Sequence, residues 1–333
     1  MKQIAELAEV SAATVSHVIN ETRPVSDDVR ARVWQAIDEL GYVPNAVARS
    51  LRTSGTRTLG MMLPNSSNPF FAEVMRGVED ECFRQGYSLI VCNSDDSPRK
   101  QSTYLRVLMQ KRVDGLVVVS AGSDADLREL LSNTWIPLVI VDREVEGVSA
   151  DLVEVNHELG GYLAGRHLVE LGHRRLACIA GSASLGVNVQ RVAGFSRALE
   201  EAGLHLDPAS IVHTDFTSSG GYGVMRQLLA LPERPTGVFA DNDLLALGAI
   251  CAAQEAGLSL PRDLSVVGFD DIAIAAYTSP KLTTVRQPKQ RIGELTAQLV
   301  IERIEGRRSE ICREILQPDL CIRQTTSAWQ GTA

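Results

Sequence analysis

From Thr58 onward the chain alternates short apolar runs with amphipathic stretches, a pattern that restricts it to parallel α/β architecture. Strands are expected at Leu59–Leu63, Tyr87–Cys92, Gly115–Val119 and Leu138–Val141. A second series follows at Leu176–Ala180, Ile211–Thr214, Val238–Ala240 and Leu264–Gly268. Two series of similar length imply two similar lobes, with a ligand between them at the carboxyl ends of the strands. A chain of 333 residues is also too long for one compact core.

Ahead of Thr58 the pattern is helical. Ile4, Leu7 and Ala8 line one face of a first short helix; Val15, Val18 and Ile19 line a second, and Ser11 is placed to cap it. The outward positions of the second helix are Ala12, Ala13, Thr14, Ser16, His17 and Asn20, small or polar with almost no charge. Such groups suit phosphates and base edges rather than a solvated face. A third helix starts after Ser26, with Asp27 and Asp28 at its positive end. Its buried stripe is expected at Val29, Val33, Ile37 and Leu40, with Gly41 as C-terminal cap. Pro44 then breaks the chain, Asn45 caps a short helix from Ala46 to Leu51, and residues 52–57 have linker composition. Residues 1–44 are therefore read as a three-helix module and 45–57 as a hinge.

Composition excludes more than it selects. Seven basic residues in 1–57 (Lys2, Arg23, Arg30, Arg32, Arg49, Arg52, Arg57) balance seven acids, so the net charge of −8 falls on the remainder. No apolar run approaches the ~18 residues of a membrane helix, and no secretory signal pattern opens the chain. The six cysteines lack C-x-x-C spacing and are read as reduced core residues of a cytoplasmic protein. The histidines are scattered, so no metal site is expected, and no cofactor motif is present. With no G-x-S-x-G elbow, P-loop or G-x-G-x-x-G after a strand, enzyme activity is not expected either.

Several motifs in order carry a resemblance. They are Val10-Ser-x-x-Thr-Val-Ser-His-Val-Ile-Asn20, Gly41-Tyr-Val-Pro-Asn-Ala-Val-Ala-Arg-Ser-Leu51 and Asn68-Pro-Phe-Phe71. Leu171-Gly-His-Arg174, Asp241-Asn-Asp-Leu-Leu-Ala-Leu-Gly248, Val267-Gly-Phe-Asp-Asp271 and Leu282-Thr-Thr-Val285 follow. Along nearly its whole length the chain resembles the lactose-repressor family of bacterial transcription regulators, and within it the ribose operon repressors.

The resemblance implies a helix-turn-helix module (1–44), a hinge helix and linker (45–57) and a two-lobed core like the periplasmic sugar-binding proteins (58–333). Lobe one is expected over about 58–156 plus 288–317, and lobe two over about 157–287 plus 318–333. It implies a homodimer on palindromic double-stranded operator DNA. Ser11, Thr14, Ser16 and Asn20 would contact phosphates or brace the recognition helix, while Ala12, Ala13 and His17 would face bases. From the hinge, Asn45, Arg49 and Arg52 would join the contact, and Leu51 would wedge between base steps in the minor groove; otherwise Leu51 packs against the core. Two departures stand out. Glu9 occupies a turn position that is commonly glycine, and relatives carry a few more residues before the first helix, pointing to a start upstream of Met1.

For the effector, the ribose-receptor pattern is matched residue by residue. Asn68, the aromatic walls Phe70, Phe71 and Phe216, the charged Asp142, Arg143, Arg191 and Asp270, and the amides Asn242 and Gln287 would ring a sugar. Singly, the phenylalanines read as helix-start core and the polar residues as caps or ion pairs. D-ribose is the expected effector, acting as inducer. The alternatives are a regulator answering to a purine or another sugar as corepressor, or a plain sugar receptor, against which the extra 57 residues speak.

Overall fold

The computed structural model describes residues 1–20, 22–42, 55–95, 97–119, 124–132, 134–145 and 147–331. The chain divides into two compact units, Met1–Arg57 and Thr58–Ala333.

In the first unit, α1 (Lys2–Leu7), α2 (Ala12–Asn20) and α3 (Asp27–Glu39) enclose Ile4, Ala5, Ala8, Val15, Val18, Val33, Ala36 and Ile37. Leu7 departs from the expected α1 stripe: it is 45% exposed, and Ala5 is buried in its place. At 100° per residue, Ile4, Ala8 and Ala5 span one arc of about 100°, and Leu7 falls about 60° beyond its Ile4 edge. Leu40 is exposed as well, because α3 has ended by then and Leu40 is its C-cap. Gly41, at φ +57, closes that end; its N–H reaches the Asp38 carbonyl at 3.2 Å and Tyr42 N–H reaches Ile37 at 3.0 Å.

Among the described residues, the second unit holds two six-stranded sheets. Lobe one contains β1 (Thr58–Leu63), β2 (Ser88–Asn93), β3 (Gly115–Val119), β4 (Leu138–Val141), β5 (Asp151–Val155) and β11 (Arg313–Leu316), in the order β11-β5-β4-β3-β1-β2. All its pairings are parallel. Lobe two contains β6 (Leu176–Ala180), β7 (Ile211–His213), β8 (Gly237–Ala240), β9 (Ser265–Asp270), β10 (Thr283–Arg286) and β12 (Asp319–Cys321), ordered β12-β10-β9-β8-β6-β7. Here β12 alone runs antiparallel, against β10. The near-continuous apolar strands of both sheets are buried as parallel sheets require.

Helices α4 (Pro69–Arg84), α5 (Pro98–Gln110), α6 (Asp124–Leu131) and α11 (Lys289–Ile304) accompany lobe one; α7 (His157–Glu170), α8 (Gly186–Glu201), α9 (Ser218–Leu229) and α10 (Asp243–Glu255) accompany lobe two. The chain crosses between sheets three times, after β5, after β10 and after β11. Paired glycines bring α7 against α8: a Cβ on Gly161 would lie 1.9 Å from the Arg191 carbonyl oxygen, and one on Gly194 1.9 Å from that of Glu158. That close approach sets where Arg191 emerges toward the space between the lobes.

Candidate functional site

The residues expected to ring the effector arise from two local devices. Helix starts supply some: Asn68 caps α4 by accepting from Phe70 N–H at 3.0 Å, and Asn242 caps α10 by accepting from Leu245 N–H at 2.8 Å. Strand ends supply others. Asp142 follows β4 at φ +70, and Asp270 ends β9 at φ +110, with Asp271 next at +53. Non-glycine residues held in this region cost about 1–3 kcal/mol each and gather where the fold over-determines a functional geometry.

Nine of the ten residues expected to ring the effector line a single cavity of about 440 Å³: Asn68, Phe70, Phe71, Asp142, Arg143, Arg191, Phe216, Asn242 and Asp270. Gln287 is not in the wall. Its side-chain amide instead donates to Asp270 Oδ1 at 2.7 Å from behind. Phe70 is buried in the lobe core as well as facing the cavity, and it meets Phe71 edge-on, centroids 5.2 Å apart. Asp215 also lines the wall, though its Oδ1 accepts from the Thr217 hydroxyl at 3.1 Å.

Electrostatics hold the set in place. Arg191 is buried over the Phe269 ring at 3.9 Å and donates through Nη1 to the Asp241 carbonyl. Burial pushes the Asp270 carboxyl up to about 7, although Arg191, the Gln287 amide and Lys289 pull it down. Burial likewise pushes Asp241 up to about 6 and Asp243 well above the usual carboxylate range. The Lys289 ammonium, at the start of α11, donates to the Asp270 carbonyl at 2.7 Å and to that of Asp271, and pairs with Glu73 of α4 at 3.4 Å. A lobe-one helix thus grips the strand end that carries Asp270.

The sequence patterns missed wall residues such as Asn65, Ser184, Asp215 and Thr217, and also Lys289 and His157 behind the wall. His157 lies 3.2 Å from Asp142 and 3.2 Å from Arg191. Lys289 and His157 act on pocket residues rather than lining the cavity, so no strand-end motif marks them.

In the first unit, Ser11 Oγ accepts from Thr14 N–H at 3.0 Å and lies 2.9 Å from Thr14 Oγ1, the expected cap of α2. Ala12 and Ala13 are exposed, Ser16 and His17 half-buried, and the His17 ring meets Thr22 Oγ1 through Nδ1 at 2.8 Å. Glu9 has φ +50, the conformation for which glycine is the ordinary choice. The side chain of Asn20, and Asn45, Arg49, Leu51 and Arg52, lie outside the described residues. Cys82, Cys92 and Cys178 are buried as expected, but Cys251 is exposed and Cys312 and Cys321 are half-buried, which corrects the expectation that all six are core residues. Among the described residues, no helix is long and apolar enough to cross a membrane.

A cavity between two parallel-sheet lobes, carried on the same chain as a three-helix module with a polar second helix, defines the class of a ligand-responsive DNA-binding regulator. Comparisons with known proteins agree. Residues 1–45 match the family described as bacterial regulatory proteins, lacI family, and residues 166–326 match the periplasmic binding protein-like domain. The HTH-type transcriptional repressor PurR of Aliivibrio fischeri is 45% identical over 330 residues, 98% of each chain. PurR of Erwinia tasmaniensis is 45% identical over 329 residues, covering 98% of this chain and 96% of its own. Among solved structures, the lac repressor dimer bound to operator and an anti-inducer superposes with a TM-score of 0.87 at 28% identity, over 98% of both chains. A lacI-family regulator from Enterococcus faecium with bound ribose has a TM-score of 0.74 at 34% identity, over 82% of this chain and all of its own.

The chain belongs to the lacI family and is a DNA-binding transcriptional repressor; its relatives are repressors, not enzymes. The sequence pointed within that family to the ribose operon repressors, whereas the relatives named above are PurR proteins.

Proposed function

We propose that this repressor binds palindromic operator DNA as a homodimer and that a pentose, D-ribose, entering the cavity between its lobes, lowers operator affinity. The observation that carries the ligand reading is the wall itself. Carboxylates (Asp142, Asp270) and guanidinium groups (Arg143, Arg191) converge on one cavity with the amide of Asn242 and the rings of Phe71 and Phe216. Ring hydroxyls both donate and accept, so they can answer both kinds of group, while the C–H face of a sugar packs on the aromatics. With Asp142, Asp215 and Asp270 set against Arg143 and Arg191, the wall offers no excess positive charge to a phosphorylated sugar. The ribose-bound regulator from Enterococcus faecium supports the same reading. Ligand closure of the lobes by a hinge movement would change the dimer geometry that positions the DNA-reading helices. DNA must then weaken ligand binding by the same factor.

A second reading has its own support. Over the whole chain the likeness to repressors named PurR is the stronger of the two comparisons, so the comparisons favour this reading over the first: a regulator that takes a purine as corepressor. Phe71 and Phe216 suit a planar base as well as a sugar face. The test is to select an operator from random duplex DNA with the full-length protein, then follow fluorescence anisotropy of the labelled operator. Release by D-ribose, with no effect of adenine, guanine or hypoxanthine, supports the inducer reading. Tightening by a purine base, with no response to D-ribose, replaces it with the second.

A further inference from the structure

His157 stands where the chain leaves β5 of lobe one and begins α7 of lobe two. Asn156 caps the helix by accepting from Leu159 N–H at 2.9 Å, and the His157 side chain is buried, 1% exposed. Its Nε2 lies 3.2 Å from Asp142 Oδ1, and its Nδ1 lies 3.2 Å from Nε of Arg191. A guanidinium has only donors, so Nδ1 accepts and the ring proton resides on Nε2, which donates to the carboxylate. The geometry therefore selects one neutral tautomer. Burial and the adjacent Arg191 charge keep the ring neutral by lowering its pKa, while Asp142 opposes them.

The two residues joined by this ring belong to different lobes: Asp142 follows β4, and Arg191 projects from α8. Both line the cavity, and His157 does not. Arg191 is further fixed by the Asp241 carbonyl and the Phe269 ring, so the free variable is how Asp142 stands relative to it. We propose that His157 is a positioning residue for the ligand site, holding the lobe-one carboxylate Asp142 and the lobe-two guanidinium Arg191 in register from the crossover between the lobes. This rests on the reading of the cavity as the effector site. It adds that affinity depends on a residue that never touches the ligand, because a misplaced carboxylate or guanidinium leaves a sugar hydroxyl unpaired.

The test uses the full-length protein and D-ribose, with a purine base in its place if only that binds. His157→Ala is expected to weaken binding about ten- to a hundred-fold. His157→Gln, whose side chain can donate to Asp142 and accept from Arg191, is expected to recover most of the loss. A double-mutant cycle with Asp142→Asn is expected to be strongly non-additive, which a merely structural role would not produce. Equal loss in the Ala and Gln variants with additive effects overturns the proposal, as does unchanged affinity in both. A ligand-independent arm separates this from the choice of ligand. Imidazole ¹⁵N spectra of the ligand-free protein are expected to report the Nε2–H tautomer for His157, and an Nδ1–H tautomer overturns the proposal whatever the pocket binds. Absence of D-ribose binding to the unmutated protein, with that tautomer present, overturns the pentose reading alone.

Discussion

The Gln287 side-chain amide donates to the Asp270 carboxylate over 2.7 Å, from outside the cavity that Asp270 lines. One residue thus presents the carboxylate and the other braces it, on a backbone at φ +110. Burial nonetheless wins, and the Asp270 carboxyl is pushed up to about 7. Unfolded, it would titrate near ~4. The folded pKa is the higher one, so the folded state binds the extra proton. The stability Asp270 contributes is present below the unfolded value and is lost as pH rises through about 7. Asp241, pushed up to about 6 by burial, acts in the same direction. The melting temperature of the ligand-free protein is expected to fall from pH 5 to pH 8 by more than that of Asp270→Asn, as differential scanning calorimetry can check.

Ligand binding is expected to reverse this preference. Hydroxyl donors favour the ionised carboxylate, so binding near pH 7 is expected to release protons and to tighten as pH rises. Titration calorimetry in two buffers of different ionisation enthalpy measures the protons released. In Asp270→Asn most of that release is expected to vanish along with most of the affinity, while operator binding without ligand persists.

Glu9, at φ +50, sits in the turn between α1 and α2 where a side chain costs roughly 1–2 kcal/mol over glycine. Its ion pair with Arg32 is long, at 3.9 Å, and exposed, so little is lost with it. Glycine also loses more chain entropy on folding, so Glu9→Gly is expected to stabilise the first unit by under ~1 kcal/mol. Slower hydrogen exchange at Val10 N–H, which bonds to the Ala5 carbonyl, is the readout.

Of the three α2 residues proposed to face bases, His17 can hydrogen-bond a base edge, whereas Ala12 and Ala13 offer only methyl contact. His17→Ala is expected to cost about 1–3 kcal/mol on the selected operator and to relax one base position. Thr22→Val, which removes the hydroxyl at His17 Nδ1, is expected to broaden that same position more weakly. Repeating the operator selection with both variants decides the matter; unchanged selectivity in His17→Ala removes the residue from readout.

A methyl group at Gly161 would meet the Arg191 carbonyl oxygen at 1.9 Å and drive α7 away from α8. Gly161→Ala is expected to destabilise the core by about 1–3 kcal/mol. It is also expected to weaken ligand binding, because Arg191 moves with its helix. Urea unfolding and calorimetry on the same sample separate the two effects.

The strands with apolar sequences were legible, because burial on both faces demands such runs. The strands that escaped carry polar residues whose partners lie far along the chain. Asp151 opens β5 and is wholly buried, accepting from Arg308 at 2.8 Å. Thr284 of β10 donates to Asp243 at 2.6 Å, and Arg313 of β11 pairs with Glu154 of β5 at 2.7 Å. Local pattern cannot reveal such pairings. The cavity residues were legible through their motif positions and family resemblance rather than through periodicity. His157 and Lys289 were not, since each acts through another residue's side chain or carbonyl.

Calorimetric titration of the full-length protein with D-ribose tests the central claim most directly. Saturable binding at one site per chain, lost in Asp270→Asn, is the expected result. Silence toward D-ribose together with saturable binding of a purine base would contradict the pentose assignment and support the purine reading.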